Sequence, residues 1–143
     1  MKKIVTRGLG LILALSFLLS LAACGGKTVD KAGAWESATY LSDTTLGEGK
    51  TPLKVEVKAG EQSVIFTVNT DKKTVGEALL EHKLIDGEQG DYGMYIKSVN
   101  GIVADYDVDK TYWAFYIGDE YATSGVDTTE IAEGVTYKLE LAK

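Results

Sequence analysis

Hydrophobic and polar residues alternate with period two along Leu53-Lys54-Val55-Glu56-Val57, and again at Val64, Phe66 and Val68. Such alternation sends every second side chain to one face, so both segments predict strands with one buried side. Ala59-Gly60-Glu61-Gln62 between them has turn composition, which joins the two strands as an antiparallel hairpin. At Thr74-Val75-Gly76-Glu77 the period changes. Thr and Glu three residues apart carry the signature of a capping box, in which each side chain bonds the other's backbone. Val75, Ala78 and Leu79 then mark the inner face of a short helix that ends before Asp86-Gly87 and depends on tertiary packing. Tyr92, Met94 and Ile96 alternate up to Asn100-Gly101, a strong two-residue hairpin signal, and Ile102, Ala104 and Tyr106 continue beyond it. Tyr112 to Ile117 is apolar on both faces. Gly118-Asp119 offers a tight turn, and Val135, Tyr137, Leu139 and Leu141 form a final strand.

The order strand, strand, helix, then strands predicts a small α+β domain of the β-grasp kind, a mixed or antiparallel sheet of hairpins crossed by one main helix. It begins near residue 50 and runs to 143. Upstream, Gly25-Gly26-Lys27-Thr28 through Gly33 is small and polar and reads as a flexible tether. Trp35 to Gly49 is an edge segment or loop whose Trp35 and Tyr40 are candidates to pack on the domain.

The first 23 residues follow another pattern. Lys2, Lys3 and Arg7 precede an apolar run from about Leu9 to Leu21 that closes in small residues, the three-part layout of a secretory signal. The run falls short of the roughly 18–20 residues that cross a bilayer core. Leu21-Ala22-Ala23-Cys24 resembles the bacterial lipobox, which implies cleavage after Ala23, acylation of Cys24 and a membrane-anchored extracytoplasmic lipoprotein. The outer face of a Gram-positive cell is the preferred location.

Cleavage there would remove three of the 15 basic residues and none of the 21 acidic ones, leaving 12 against 21, a net charge of −9. That balance speaks against nucleic acid as a partner, because no basic block exists to neutralise phosphates. Cys24 is the one cysteine of the chain, so no intrachain disulfide can form and the core must hold the fold unaided.

The runs Thr74-Val75-Gly76-Glu77-Ala78-Leu79-Leu80, Tyr92-Gly93-Met94-Tyr95-Ile96, Ser98-Val99-Asn100-Gly101-Ile102, Tyr112-Trp113-Ala114-Phe115-Tyr116-Ile117 and Gly125-Val126 resemble the transcobalamin-like C-terminal domain of bacterial surface lipoproteins. The resemblance covers about residues 50 to 142. It implies a domain that binds a small molecule, such as cobalamin or another corrinoid, as cargo and not as a catalytic cofactor; the lack of a catalytic constellation among the residues is what makes it non-enzymatic. The motif positions it indicates are Trp113, Ala114 and Phe115, and aromatic density adds Tyr112; the alternative is that helix and sheet cover Trp113 and Phe115 while the tyrosines lie half exposed as ordinary sheet residues. In the vertebrate carriers a large helical domain completes the site, and this chain has no such domain. Two roles follow: presentation of a ligand to a membrane transporter, or adhesion to another protein through the same aromatic face. The first predicts a concave patch and the second a flat one.

Other candidate chemistry is weaker. Gly49-Lys50-Thr51 echoes a phosphate loop, but Thr44 stands where its first glycine belongs and Pro52 follows with a strand. Asp105, Asp107 and Asp109 alternate, yet Lys110 and Tyr116 occupy the glycine and glutamate positions of an EF-hand, so a solvated turn is the better account. His82, the single histidine, suits a helix C-terminus. Ser124 has no base beside it in sequence, and no constellation for catalysis or for a metal is recognisable.

Overall fold

In the computed structural model, which describes residues 28–143, the chain forms strands β1 (Thr44–Leu46), β2 (Thr51–Ala59) and β3 (Gln62–Thr70), then helix α1 (Val75–Glu81). Strands β4 (Ile85–Gly90), β5 (Gly93–Val99) and β6 (Ile102–Val103) follow, then a short helix α2 (Tyr106–Asp109) and strands β7 (Tyr112–Ile117), β8 (Glu120–Tyr121) and β9 (Thr136–Ala142). The leader at residues 1–23 and the acylation site at Cys24 lie outside the described residues.

The alternating segments at 51–70 become the β2–β3 hairpin, in register from Thr51 opposite Thr70 to Ala59 opposite Gln62. β9 then lies parallel to β2 and antiparallel to β7, giving a six-stranded sheet of order β1-β3-β2-β9-β7-β8. A hairpin, a helix and a last strand returning beside the first is the β-grasp arrangement, so the domain is α+β as its pattern predicts. The inner face carries Val55, Val57, Val64, Phe66, Val68 and Leu139, all buried with Val75, Ala78 and Leu79 of α1 in one core. Thr74 caps α1 as anticipated: its hydroxyl accepts from the Glu77 N–H at 3.2 Å, and its own N–H donates to the Glu77 carboxylate at 3.4 Å.

The structure differs from the sequence reading in three places. A second sheet, β4-β5-β6, stands apart from the first. Its strand β4 carries Asp86-Gly87-Glu88-Gln89-Gly90, which has no apolar alternation and is held by antiparallel pairing with β5. After Asn100-Gly101 the return strand stops at Val103, because the Asp105 carboxylate accepts from the N–H groups of Asp107 and Val108 and starts α2, so Tyr106 is helical. Finally, the segment read as a flexible tether packs on the domain from Thr28, which bridges to Ser42, and Val29, which is buried, while the edge segment after it packs through Trp35 as expected. Trp35 is 2% exposed and its indole N–H donates to the Ala59 carbonyl at 3.0 Å.

Asn100 fastens that upstream segment. It takes the left-handed conformation (φ 53°) ahead of Gly101 (φ 80°), the pair of positive angles that a tight hairpin turn requires. Its side-chain amide donates to the Tyr40 carbonyl and accepts from the Tyr40 N–H, both at 2.9 Å, while its carbonyl accepts from the Thr39 N–H. A side chain on residue 101 would approach the Ser37 carbonyl to 2.6 Å, so glycine is needed there twice over.

Candidate functional site

Strand β7 separates the four residues singled out in the sequence. Trp113 and Phe115 point inward: Trp113 is 7% exposed with its indole N–H donating to the Ile102 carbonyl at 3.1 Å, and Phe115 is 8% exposed and stacked on Tyr137 at 6.0 Å between ring centres. Ala114, out of phase with them on the strand, is also buried. Tyr112 is half-buried and opens onto a cleft. The quartet therefore does not form one surface.

The cleft beside Tyr112 has a volume of about 650 Å³. Its aromatic wall is Tyr95 from the outward-facing positions of β5, Tyr106 from α2 and Tyr112 from β7, which are 45% exposed, 50% exposed and half-buried. Its polar groups are Glu88, Lys97, Asp105 and Asp107. The Lys97 ammonium pairs with the Glu88 carboxylate at 3.0 Å, and that contact, with the field of Asp105 behind it, raises the lysine's pKa and keeps it charged. Sequence reasoning missed Tyr95 and Tyr106. The available signal was phase: Tyr95 alternates against Met94 and Ile96 and so had to face away from the core.

A smaller cleft of about 240 Å³ is lined by Trp113 and Phe115 together with Tyr92, Met94, Tyr121 and Gly125. The tip of the β4–β5 hairpin borders it, with Tyr92 98% exposed. Asp127 ties this hairpin down. Its carboxylate accepts from the Gln89 side-chain amide at 3.0 Å and from the Met94 N–H at 3.1 Å, and these bonds hold its pKa below the usual carboxylate range.

The remaining candidates have ordinary structural places. Asp105 is the N-cap of α2, and Asp109 accepts from the Thr111 N–H and hydroxyl, which lowers its pKa. Asp105, Asp107 and Asp109 thus sit in and around one helical turn, not along a strand. His82 is the C-cap residue of α1, with Nε2 4.0 Å from the Glu81 carboxylate. Lys50 is followed by a strand, and its N–H donates to Asp71. Ser124 lies 3.2 Å from the Thr129 hydroxyl. Among the described residues no group of three or more His, Cys, Asp or Glu side chains is placed to hold a metal ion. Nor is any described helix long and apolar enough to cross a membrane.

Residues 72–141 match the family model described as a domain of unknown function, DUF4430. A solved structure from Ruminococcus gnavus ATCC 29149, provisionally described as a metal binding protein, is 32% identical, with a TM-score of 0.61 over 65% of this chain and 97% of that one. The chain belongs to the DUF4430 family. Both clefts of this DUF4430 domain fall within the matched residues, whereas the β2–β3 hairpin precedes them. Haptocorrin in complex with Cbi shares the fold at 19% identity and a TM-score of 0.50 over 67% of this chain. The chain spans about a quarter of haptocorrin's length, 26%. No curated protein matches the chain. Both solved neighbours are described by what they bind and not by a reaction.

Proposed function

We propose that this DUF4430 protein is a non-catalytic lipoprotein, anchored outside the cytoplasm through acylated Cys24, that binds a small molecule and presents it to a membrane transporter. The observation that carries the binding reading is the tyrosine cleft. Three aromatic side chains from three separate elements turn toward one concavity with charged groups at its edge. Its volume falls within the roughly 300–1,000 Å³ of small-molecule sites. Half-exposed tyrosines there contribute little to the core, and they offer flat apolar faces with hydroxyls alongside. The concavity also favours a ligand over adhesion to another protein, for which a flat patch is the expected form.

A corrinoid is the first ligand to try, because the transcobalamin-like motifs and the haptocorrin fold both lead there. The test is calorimetric titration of the chain from residue 24, carrying Cys24→Ser, with cobalamin and with cobinamide. Tyr112→Ala is the informative variant, since Trp113 is a core residue whose loss would unfold the domain. Micromolar binding that weakens at least about tenfold in Tyr112→Ala supports a corrinoid in this cleft. Absence of heat with either compound removes corrinoids from the proposal. The anchor is tested separately by fractionating cells: the parent chain should sediment with membranes and Cys24→Ala should not.

A further inference from the structure

Resting on the reading of the tyrosine cleft as a small-molecule site, we infer that its ligand is a compact organic cation, a quaternary ammonium or amine-bearing compound. The cleft is lined by three carboxylates, Glu88, Asp105 and Asp107, against one ammonium, Lys97. Lys97 is already matched by Glu88 at 3.0 Å, so the charge left over is that of Asp105 and Asp107. Asp105 gives one oxygen to the α2 N-cap, and Asp107 is exposed in the first turn of α2. An anionic ligand would meet this negative field, and a neutral one would gain nothing from it.

The aromatic wall favours the same class. Tyrosine rings present a negative face, and a cation over that face is attracted more strongly as water is excluded. The protein makes this contact with its own lysines: the Lys110 ammonium sits 4.9 Å from the centre of the Tyr106 ring, and the Lys138 ammonium 4.4 Å from that of Tyr116. Tyr106 is a cleft residue with one face taken by Lys110, so the rings left for a ligand cation are those of Tyr95 and Tyr112. Aromatic faces combined with unmatched carboxylates are the usual equipment of a site for ammonium groups.

The experiment compares choline with its neutral isostere 3,3-dimethylbutanol by amide chemical shifts, on the chain from residue 24 carrying Cys24→Ser. Choline should shift the amides of Tyr95, Lys97 and Asp107 saturably and bind at least about fivefold more tightly than the isostere, the size of one partly desolvated cation–π contact. Asp107→Asn, an exposed change, should weaken choline by about threefold and leave the isostere unaffected. Equal binding of both compounds would overturn the cation inference and leave the small-molecule reading in place. No cleft shifts with choline up to about 50 mM, well past the range where an interaction of ~4 kcal/mol registers, would also overturn it. The small-molecule reading would then be judged by the corrinoid titration alone.

Discussion

The core of the six-stranded sheet and the rim around the small sheet place their aromatic residues in opposite ways. Around the six-stranded sheet, Trp35, Phe66, Phe115 and Tyr137 are buried, and the polar atoms among them are matched: the Tyr137 hydroxyl accepts from the Ala132 N–H and donates to the Glu130 carbonyl. On the small sheet and α2, Tyr92, Tyr95 and Tyr106 stand in solvent. Both regions carry several tyrosines, so tyrosine content does not separate them. Burial does: an aromatic ring stabilises a fold in proportion to the area it removes from water, and rings left exposed are free to meet something else. The comparison assigns stability to the core of the large sheet and recognition to the cleft where the edge of the small one meets Tyr112 of β7.

That division breaks most visibly at Phe66. It is fully buried on β3 and meets Tyr40 edge-on at 5.6 Å, joining the upstream segment to the core. Phe66→Ala should cost about 4 kcal/mol in urea unfolding, from lost transfer energy plus the cavity left behind. A loss below about 1 kcal/mol would show that the large sheet does not carry the stability. Next comes Asn100→Ala. Alanine in the left-handed region costs about 1–2 kcal/mol, and the Tyr40 backbone groups would lose their buried partners at about 1–3 kcal/mol. A net loss of about 3 kcal/mol is expected, with faster amide exchange across residues 28–46 before global unfolding.

A smaller effect is expected at Asp127, the clasp on the β4–β5 hairpin. Its folded pKa lies below the unfolded value, so its contribution is complete above the unfolded pKa and disappears as pH falls through the lower folded one. Below about pH 4 the Met94 amide should exchange faster and the hairpin tip should loosen, by under about 1 kcal/mol given the group's exposure. Asp127→Asn should remove this acid dependence. If the hairpin loosens at the same pH in the variant, another group holds it.

Much of the large sheet was legible because its segments repeat one rule. Leu53 to Val57 and Val64 to Val68 alternate without a break, and the Thr74–Glu77 pair marks a helix start with two bonds that form as written. β4 was not legible, since Asp86 to Gly90 has no apolar face and exists as a strand only through pairing with β5. The segment from Thr28 was legible only in part: Trp35 and Tyr40 could be named as packing candidates, but Val29 follows no period, and the partners that hold the segment lie far along the chain, among them Ala59 and Asn100. Of the aromatic wall of the cleft, only Tyr112 was singled out as a binding residue; Asp105 and Asp107 were read as a solvated turn. Tyr95, Tyr106 and Tyr112 come from three elements, and the turn set by Asp105, which swings Tyr106 into place, depends on a cap where alternation alone predicts a strand.

The smallest expected effect sharpens the comparison most. Tyr95 occupies an outward position on β5 and is 45% exposed, so its ring lies at the rim and not in the core. Tyr95→Thr keeps a residue suited to a strand while removing the aromatic face. If the small sheet serves recognition, the free energy of urea unfolding should stay within about 0.5 kcal/mol of the parent, the range of an ordinary surface change. Any ligand of the cleft should bind at least about threefold more weakly in the same variant, a loss of ~0.7 kcal/mol that matches one exposed aromatic contact. A ring that stabilises the fold would give the opposite pair of results, a lower midpoint with binding scaled only to the folded fraction. Tyr95 would then belong with Phe66, and the separation of stability from recognition would fail at the residue where it is most exposed to test.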